Sequence, residues 1–138
     1  MTITFLIHVF STVFMTGVSW FVQIVHYPLF REIPIAEFTK YERKNFVTAY
    51  VTVPVMVAEL LSGVYLFFES YSTLFLINMV LLAVIEISTV VFQIPIQLKL
   101  SKNASLALMS KLVKTNWIRT ICWSARSIVL AVLLLNGS

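Results

Sequence analysis

Arg119 and Arg126, both in the last apolar stretch of the chain, are the side chains best able to do chemistry. They lie in KTNWIRTICWSARSIVLAVLLL, and at 100° per residue they share one narrow helical arc with Asn116 and Trp123. An arginine can anchor an anion or pair with a carboxylate, and near mid-bilayer its charge costs about 2.5–3.5 kcal/mol on insertion scales. We therefore expect both guanidinium groups to face the protein interior and to have partners there.

Glu59 and Glu86 are the candidate partners at mid-depth. Counted at 1.5 Å per residue from the basic ends of the apolar stretches, Glu59, Glu86 and Arg126 all lie about 18–20 Å in. That depth is close to the middle of a hydrocarbon core about 30 Å thick. Two carboxylates facing one guanidinium leave a negative charge, so we expect a protonated glutamate, or a ligand, partner chain or water that balances it.

A second polar layer is expected nearer the cytoplasm, at a depth of about 4–9 Å. One interpretation is a hydrogen-bonding network that only fixes helix pairing. The other is a polar pocket that opens toward the cytoplasm, since intramembrane ionisable groups usually serve a function. The members of this layer are Gln23, His26, Tyr50, Gln93, Asn116 and Arg119.

The first apolar stretch carries both histidines of the chain, His8 and His26, on one helical face. They are separated by about 27 Å along the axis, so they cannot ligate one ion within one chain. Depth places His26 in the cytoplasmic layer beside Gln23 and Arg119, and His8 near the outer surface. The same face also carries Thr12, Thr16 and Ser19.

Several reaction classes lack their required groups. The chain has no Asp, no CxxC, no HExxH and no glycine-rich phosphate loop, and Cys122 is its single cysteine. Ser19 and His26 are two helical turns apart, too far for a nucleophile and its base. What remains is chemistry supplied by a bound cofactor or lipophilic ligand, with histidine as ligand or base and arginine as an anion anchor.

These groups must be positioned by membrane helices. Of 138 residues, 59% are hydrophobic and 12% charged, against about 45–50% and 25% in soluble domains. A span needs about 20 apolar residues, and four stretches qualify: 3–29, 46–69, 74–98 and 114–136. We therefore predict one all-α domain over residues 1–138, a four-helix transmembrane bundle in contact with the lipid bilayer.

The basic residues predict the orientation of the bundle. They cluster in the two long connections, whereas the termini and the turn near Ser70–Thr73 carry none, so we expect cytoplasmic connections and both termini outside. The net charge of +4 then reflects membrane topology, and nucleic acid is not an expected partner. The first connection, REIPIAEFTKYERKN, should lie along the membrane surface as an amphipathic segment.

The first half of the chain resembles a known family. IHVFSTVFMTGVSWFVQIVHYPLF and FTKYERKNFVTAYVTVPVMVAELLSGVYL are similar to the opening half of the HemJ-type membrane protoporphyrinogen oxidases, with His8, Arg43, Pro54 and Gly63 at the matching positions. The histidine of that family is thought to ligate haem, so the resemblance implies haem as a cofactor and His8 as its metal ligand. The third apolar stretch departs from the family because it holds no counterpart of the intramembrane lysine.

The last helix carries a second resemblance. Its NWIRT followed by Trp123 and Arg126 is similar to small four-helix bacterial membrane proteins of uncharacterised function. This resemblance implies a multi-pass protein of the bacterial inner (cytoplasmic) membrane.

Three functions are left open by the sequence. The preferred one is binding, with or without conversion, of a small lipophilic ligand or redox cofactor such as haem, porphyrin or quinone. The alternatives are a non-catalytic accessory subunit of a larger membrane complex or homo-oligomer, and a small transporter whose coupling site is the mid-depth layer. The predicted ligand-binding residues are His8, Gln23, His26, Glu59, Glu86, Gln93, Asn116, Arg119 and Arg126.

Overall fold

The computed structural model describes residues 2–137, and every secondary-structure element in that range is helical. Four helical stretches are long and apolar enough to cross a membrane, which confirms the predicted all-α four-helix architecture and indicates a multi-pass membrane protein. The α-helices are α1 (Ile3–Phe21), α2 (Ile35–Asn45), α3 (Ala49–Glu69), α4 (Thr73–Ser88), α5 (Ile94–Leu100) and α6 (Leu106–Leu135). Short π- and 3-10 segments extend them: Val22–His26, Pro28–Glu32, Phe46–Thr48 and Thr89–Gln93.

The spanning helices form a ring in the order α1, α3, α4, α6. Helix α1 packs on α3 and α6, and α4 packs most extensively on α6, whereas α3 and α4 touch far less. The bundle has one end, called here the basic end, where α1 finishes and α6 begins. All of the following lie at that end: Arg31, Lys40, Arg43, Lys44, Lys99, Lys102, Lys111 and Lys114.

Three buried apolar clusters fill the bundle from end to end, and large apolar side chains also cover its outside. The cluster at the basic end includes Phe30, Phe38 and Leu100, and the cluster at the opposite end includes Phe5 and Leu130. Exposed apolar patches of this extent are typical of surfaces that contact lipid. Residues more than 60% exposed on the spanning segments include Phe10, Leu61, Val90, Ile121 and Ile128.

Hydroxyl side chains set where three of the helices begin. The side chains of Thr2, Ser72 and Ser105 each accept a hydrogen bond of 3.1 Å from the backbone N–H three residues later. The last helix begins eight residues before the predicted span 114–136, because the Ser105 cap starts α6 at Leu106. Hydropathy located the apolar part of α6 but not the polar turns that precede it.

The first connection contains the predicted amphipathic segment as helix α2. Phe38 is fully buried in the cluster at the basic end, whereas Lys40 and Lys44 are exposed. Helix α3 then runs without interruption through Pro54.

The two other helical prolines each follow a π-helical turn. The backbone N–H of Tyr27 donates to the carbonyl of Val22 at 2.9 Å, directly before Pro28. Ile94 donates in the same way to Thr89, directly before Pro95. Because proline has no N–H and its ring crowds the carbonyl four residues earlier, the preceding turn widens.

Candidate functional site

Arg126 lies at the centre of a fully buried polar cluster at mid-bundle. Its Nη1 forms a salt bridge with Glu59, as the sequence predicted. Its Nε donates to Asn78 Oδ1 at 2.9 Å, and its Nη2 donates to Thr12 Oγ1 at 3.0 Å and to His8 Nε2 at 3.1 Å. Helices α1, α3, α4 and α6 each contribute at least one of these groups, so the cluster ties all four spans together.

His8 belongs to this cluster and not to the outer surface. Its Nδ1 lies 3.0 Å from both the carbonyl oxygen of Glu59 and the hydroxyl of Ser62. A carbonyl can only accept, so Nδ1 carries the proton, and Nε2 accepts from Arg126 and, at 3.0 Å, from Asn78. His8 was predicted to lie nearer the outer surface than Arg126, and this was wrong. Because α6 starts at Leu106, Arg126 lies about 30 Å along its helix, which is far enough from the basic end to meet His8.

Glu59 and Glu86 have different surroundings, contrary to the predicted shared layer. Glu59 is fully buried, and its Oε1 also accepts from Trp123 Nε1 at 2.7 Å. Glu86 is half-buried and makes no salt bridge or side-chain hydrogen bond with any residue from 2 to 137. Asn78 takes the place predicted for Glu86. The sequence feature that could have identified Asn78 is that it is the one polar side chain in the apolar run LFLINMVLL.

The surroundings of His8 do not fit an axial haem ligand. Both ring nitrogens are engaged in hydrogen bonds, so no lone pair is left for iron. The ring also packs closely on α3: a Cβ added to Gly63 would lie 2.8 Å from His8 Cε1. Within residues 2–137, no group of three His, Cys, Asp or Glu side chains is placed to hold a metal ion.

A separate cavity of about 170 Å³ lies between this cluster and the basic end. It is bounded by α1, α3, α6 and the α4–α5 junction. Among its lining residues, Val53 of α3 and Ile94 of α5 are 50% and 48% exposed. The cavity therefore opens outward between α3 and α5 through an apolar mouth. Its polar lining residues include Ser19, Tyr27, Asn45, Thr52, Gln93, Gln97, Asn116 and Arg119.

Asn116 lines this cavity, and Gln23, which does not line it, is hydrogen-bonded to Asn116. Asn116 Nδ2 donates to Gln23 Oε1 at 3.0 Å, and Thr120 Oγ1 donates to the same oxygen at 3.2 Å. Gln23 Nε2 in turn donates to the carbonyl oxygen of Val113 at 2.9 Å. These bonds fix the π-helical turn that follows α1 against α6 and confirm that Gln23 and Asn116 lie together.

Gln93 and Tyr27 also line the cavity. Tyr27 Oη donates to Gln93 Oε1 at 3.2 Å and accepts from Gln97 Nε2 at 2.8 Å, and Gln93 Nε2 donates to Thr115 Oγ1 at 2.9 Å. Tyrosines near the ends of membrane spans commonly lie at the headgroups, but Tyr27 is buried in the bundle. The sequence feature that could have indicated its burial is its position at the end of the polar face of the first apolar stretch.

Arg119 is the one charged side chain that lines the cavity. Its Nη1 donates to Asn116 Oδ1 at 3.3 Å, and its guanidinium carbon lies 5.1 Å from the centroid of the Trp123 ring. Its Nε is buried and has no hydrogen-bond partner in the described part of the chain. No carboxylate from residues 2–137 forms a salt bridge with it, so the expected partner on another helix is missing.

His26 and Tyr50 do not join this layer, contrary to the prediction. His26 Nε2 donates to Asn45 Oδ1 at 3.0 Å, and Asn45 lines the cavity whereas His26 does not. Tyr50 is 80% exposed. His26 lies outside the predicted layer because it belongs to the π-helical turn Val22–His26. This turn closes over five residues, so the face predicted from a regular α-helix does not continue through it.

The two clusters differ in what they can do chemically. The cluster around Arg126 is closed and its charges are paired, which suits a structural role. The cavity at Arg119 offers a fixed cation and several amide and hydroxyl groups, which can orient a polar ligand. A scan against protein-family models finds no match, and searches of curated proteins and of solved structures find no similar chain.

Proposed function

We propose that this protein binds a small lipophilic ligand whose polar head enters the cavity at Arg119 and whose tail remains in the lipid. The observation that carries the proposal is the combination of an arginine in the cavity lining, whose buried Nε has no hydrogen-bond partner in the described residues, with an apolar mouth between α3 and α5. A water-soluble ligand would not need an apolar opening, whereas an amphipathic molecule can enter the cavity through it from the bilayer. The proposed location is the bacterial inner membrane.

The two π-helical turns support a functional reading of the cavity. Segments Val22–His26 and Thr89–Gln93 come from different spans, and Val22, Thr89 and Gln93 all line the same cavity. π-helical turns are rare in proteins and frequently occur at functional sites. The prolines that follow them account for the wide turns locally, and both turns place lining residues at the same cavity.

The size of the cavity selects among the ligands considered. Pockets that enclose a whole drug-sized ligand measure about 300–1,000 Å³, whereas this cavity measures about 170 Å³. It suits a head group, such as that of a quinone or a single-chain lipid, better than a haem or porphyrin ring. The hydrogen bonds of His8 oppose haem independently.

An accessory-subunit role is the second candidate, and Glu86 favours it. A half-buried carboxylate at membrane depth without a salt bridge to residues 2–137 is suited to meet a basic group on another chain. A transporter is less favoured, because His8, Glu59 and Arg126 are closed off from the cavity. Native mass spectrometry of the gently solubilised protein tests the accessory role through a stoichiometric partner.

A pocket-filling substitution tests ligand binding. Thr52 lines the cavity, whereas Val57, on the same helix, does not. We expect Thr52→Phe to abolish the bound ligand and Val57→Phe to retain it, since only the first occupies the head-group space. The measurement is mass spectrometry of organic extracts, together with saturable binding of radiolabelled palmitate and decylubiquinone. If the wild-type protein retains no molecule beyond bulk lipid and binds neither probe saturably, the proposal is wrong.

A further inference from the structure

We infer that the ligand is an anionic, single-chain amphiphile whose carboxylate pairs with Arg119. This inference rests on the proposed function and names the chemical class of its ligand. It begins from the charge of the cavity. Arg119 supplies the one charge in the lining, and a guanidinium stays protonated under all ordinary conditions.

Arg119 forms no salt bridge with a carboxylate in the described part of the chain, although Glu86 and Glu59 lie close enough to attract its positive charge. The salt bridge found there joins Arg126 to Glu59, and Glu59 is further occupied by Trp123. Glu42 is fully buried with neither carboxylate oxygen hydrogen-bonded to residues 2–137, but it does not line the cavity, and neither does Glu86. An unpaired charge at membrane depth is costly. A negatively charged ligand head would offset it.

The geometry of the guanidinium favours a carboxylate. Nη1 is used by Asn116, and the buried Nε has no partner. In an arginine, the Nε–H and one N–H of Nη2 form a planar edge that matches the two oxygens of a carboxylate. Because Nε is covered in this structure, the side chain must turn toward the cavity for a ligand to use that edge. The ring of Trp123 covers the guanidinium at 5.1 Å and holds its plane. A quinone carbonyl could accept one hydrogen bond there but would form no ion pair with the guanidinium.

The mouth of the cavity favours a single tail. Phe46, Val53 and Ile94 are exposed lining residues from the two sides of the opening. They provide an apolar path from the cavity to the lipid. With about 170 Å³ behind it, the opening suits a carboxyl head on one aliphatic chain and leaves little space for a glycerol backbone with two chains.

Competition binding on the full-length protein in detergent micelles tests this inference. Radiolabelled palmitate is displaced by unlabelled palmitate, methyl palmitate, decylubiquinone or dioleoyl phosphatidate. We expect palmitate to compete at least about tenfold more strongly than the methyl ester, because only the acid forms a charge-assisted pair. Arg119→Gln should remove this preference, and Arg119→Lys should keep part of it. Lys114→Gln removes the same charge from an exposed position on α6 and should leave the preference unchanged.

The outcomes separate the two proposals. Equal competition by palmitate and its methyl ester in the wild-type protein overturns the carboxylate assignment while ligand binding stands. Phosphatidate competing as well as palmitate also overturns it, because the site then reads a lipid phosphate. Absence of saturable binding by every probe overturns the proposed function itself. The acid-to-ester comparison uses the wild-type protein, so a folding defect in an Arg119 variant cannot obscure the result.

Discussion

Arg119 and Arg126 are the same residue type on the same arc of one helix, yet they have opposite surroundings. Arg126 is fully buried and bonded to groups from three other spans, including the carboxylate of Glu59. Arg119 keeps an unpaired Nε beside a cavity. Burial with complete pairing explains a structural arginine, whereas burial with an open donor calls for a ligand. At the scale of single residues, the structural Arg126 and the candidate ligand-binding Arg119 differ in whether the Nε has a hydrogen-bond partner.

A double-mutant cycle tests the scaffold role of Arg126. Arg126→Leu should destabilise the protein by about 3–5 kcal/mol, because it leaves a buried carboxylate at Glu59 without its partner. Combining it with Glu59→Gln should cost less than the sum of the two single changes, since the double variant has no uncompensated charge. The measurement is the free energy of unfolding in mixed micelles.

Lys114→Gln is the control for that cycle, because it removes a positive charge from an exposed site on α6. It should change stability by less than about 0.5 kcal/mol. Strict additivity of Arg126→Leu and Glu59→Gln would show that the two side chains do not interact, and the mid-bundle cluster would need another explanation.

At the scale of elements, the close packing of α1 on α3 depends on a glycine. A Cβ built on Gly63 would lie 2.8 Å from His8 Cε1 and 2.9 Å from Met79 Sδ. Met79 is flexible enough to move aside, but the His8 ring is held by hydrogen bonds at both nitrogens. The absence of a side chain at Gly63 is therefore what lets α3 approach His8.

Gly63→Ala should therefore destabilise the protein by about 1–3 kcal/mol through overpacking. Gly17 is the matched comparison, since it lies inside α1 with nothing within 4 Å of an added Cβ. Gly17→Ala should stabilise by about 0.5–1 kcal/mol, because alanine loses less conformational freedom in a helix. Thermal unfolding of both variants in the same detergent provides the measurement. Equal effects at the two sites would mean that the contact between Gly63 and His8 is looser than described.

The whole molecule has an asymmetric charge distribution that predicts its orientation. All eight residues of the basic end should face the cytoplasm, with Tyr71 and the N-terminal end of α1 outside. In a Cys122→Ala background, a cysteine at Tyr71 should react with a membrane-impermeant maleimide added to intact cells. Cysteines at Ala36 or Asn103, both exposed at the basic end, should react only after the membrane is opened.

Labelling of Ala36→Cys in intact cells at the rate of Tyr71→Cys would reverse the assigned orientation. It would also place the mouth of the Arg119 cavity nearer the outer leaflet. The pairing of Arg126 with Glu59 and the architecture of the bundle would be unaffected, because they do not depend on which side the bundle faces.

The sequence by itself determined the architecture of this protein. Apolar stretches separated by basic connections are sufficient to locate four spans, since the bilayer fixes their length and polarity. It also offered Glu59, together with Glu86, as a partner of Arg126, and its second polar layer correctly grouped Gln23, Gln93, Asn116 and Arg119 near one end. Each of these follows from helical periodicity, which is a local property of the chain.

Only the tertiary structure decided which polar groups meet. His8 joined the mid-bundle cluster and Glu86 stayed outside it, because contacts between helices depend on where each helix starts, and the Ser105 cap was not visible in hydropathy. His26 left the polar layer because a π-helical turn changed its face. The cavity at Arg119 opens where α3 has few contacts with α5 and with the turn Thr89–Gln93, and spacing along one chain does not encode the distance between two helices.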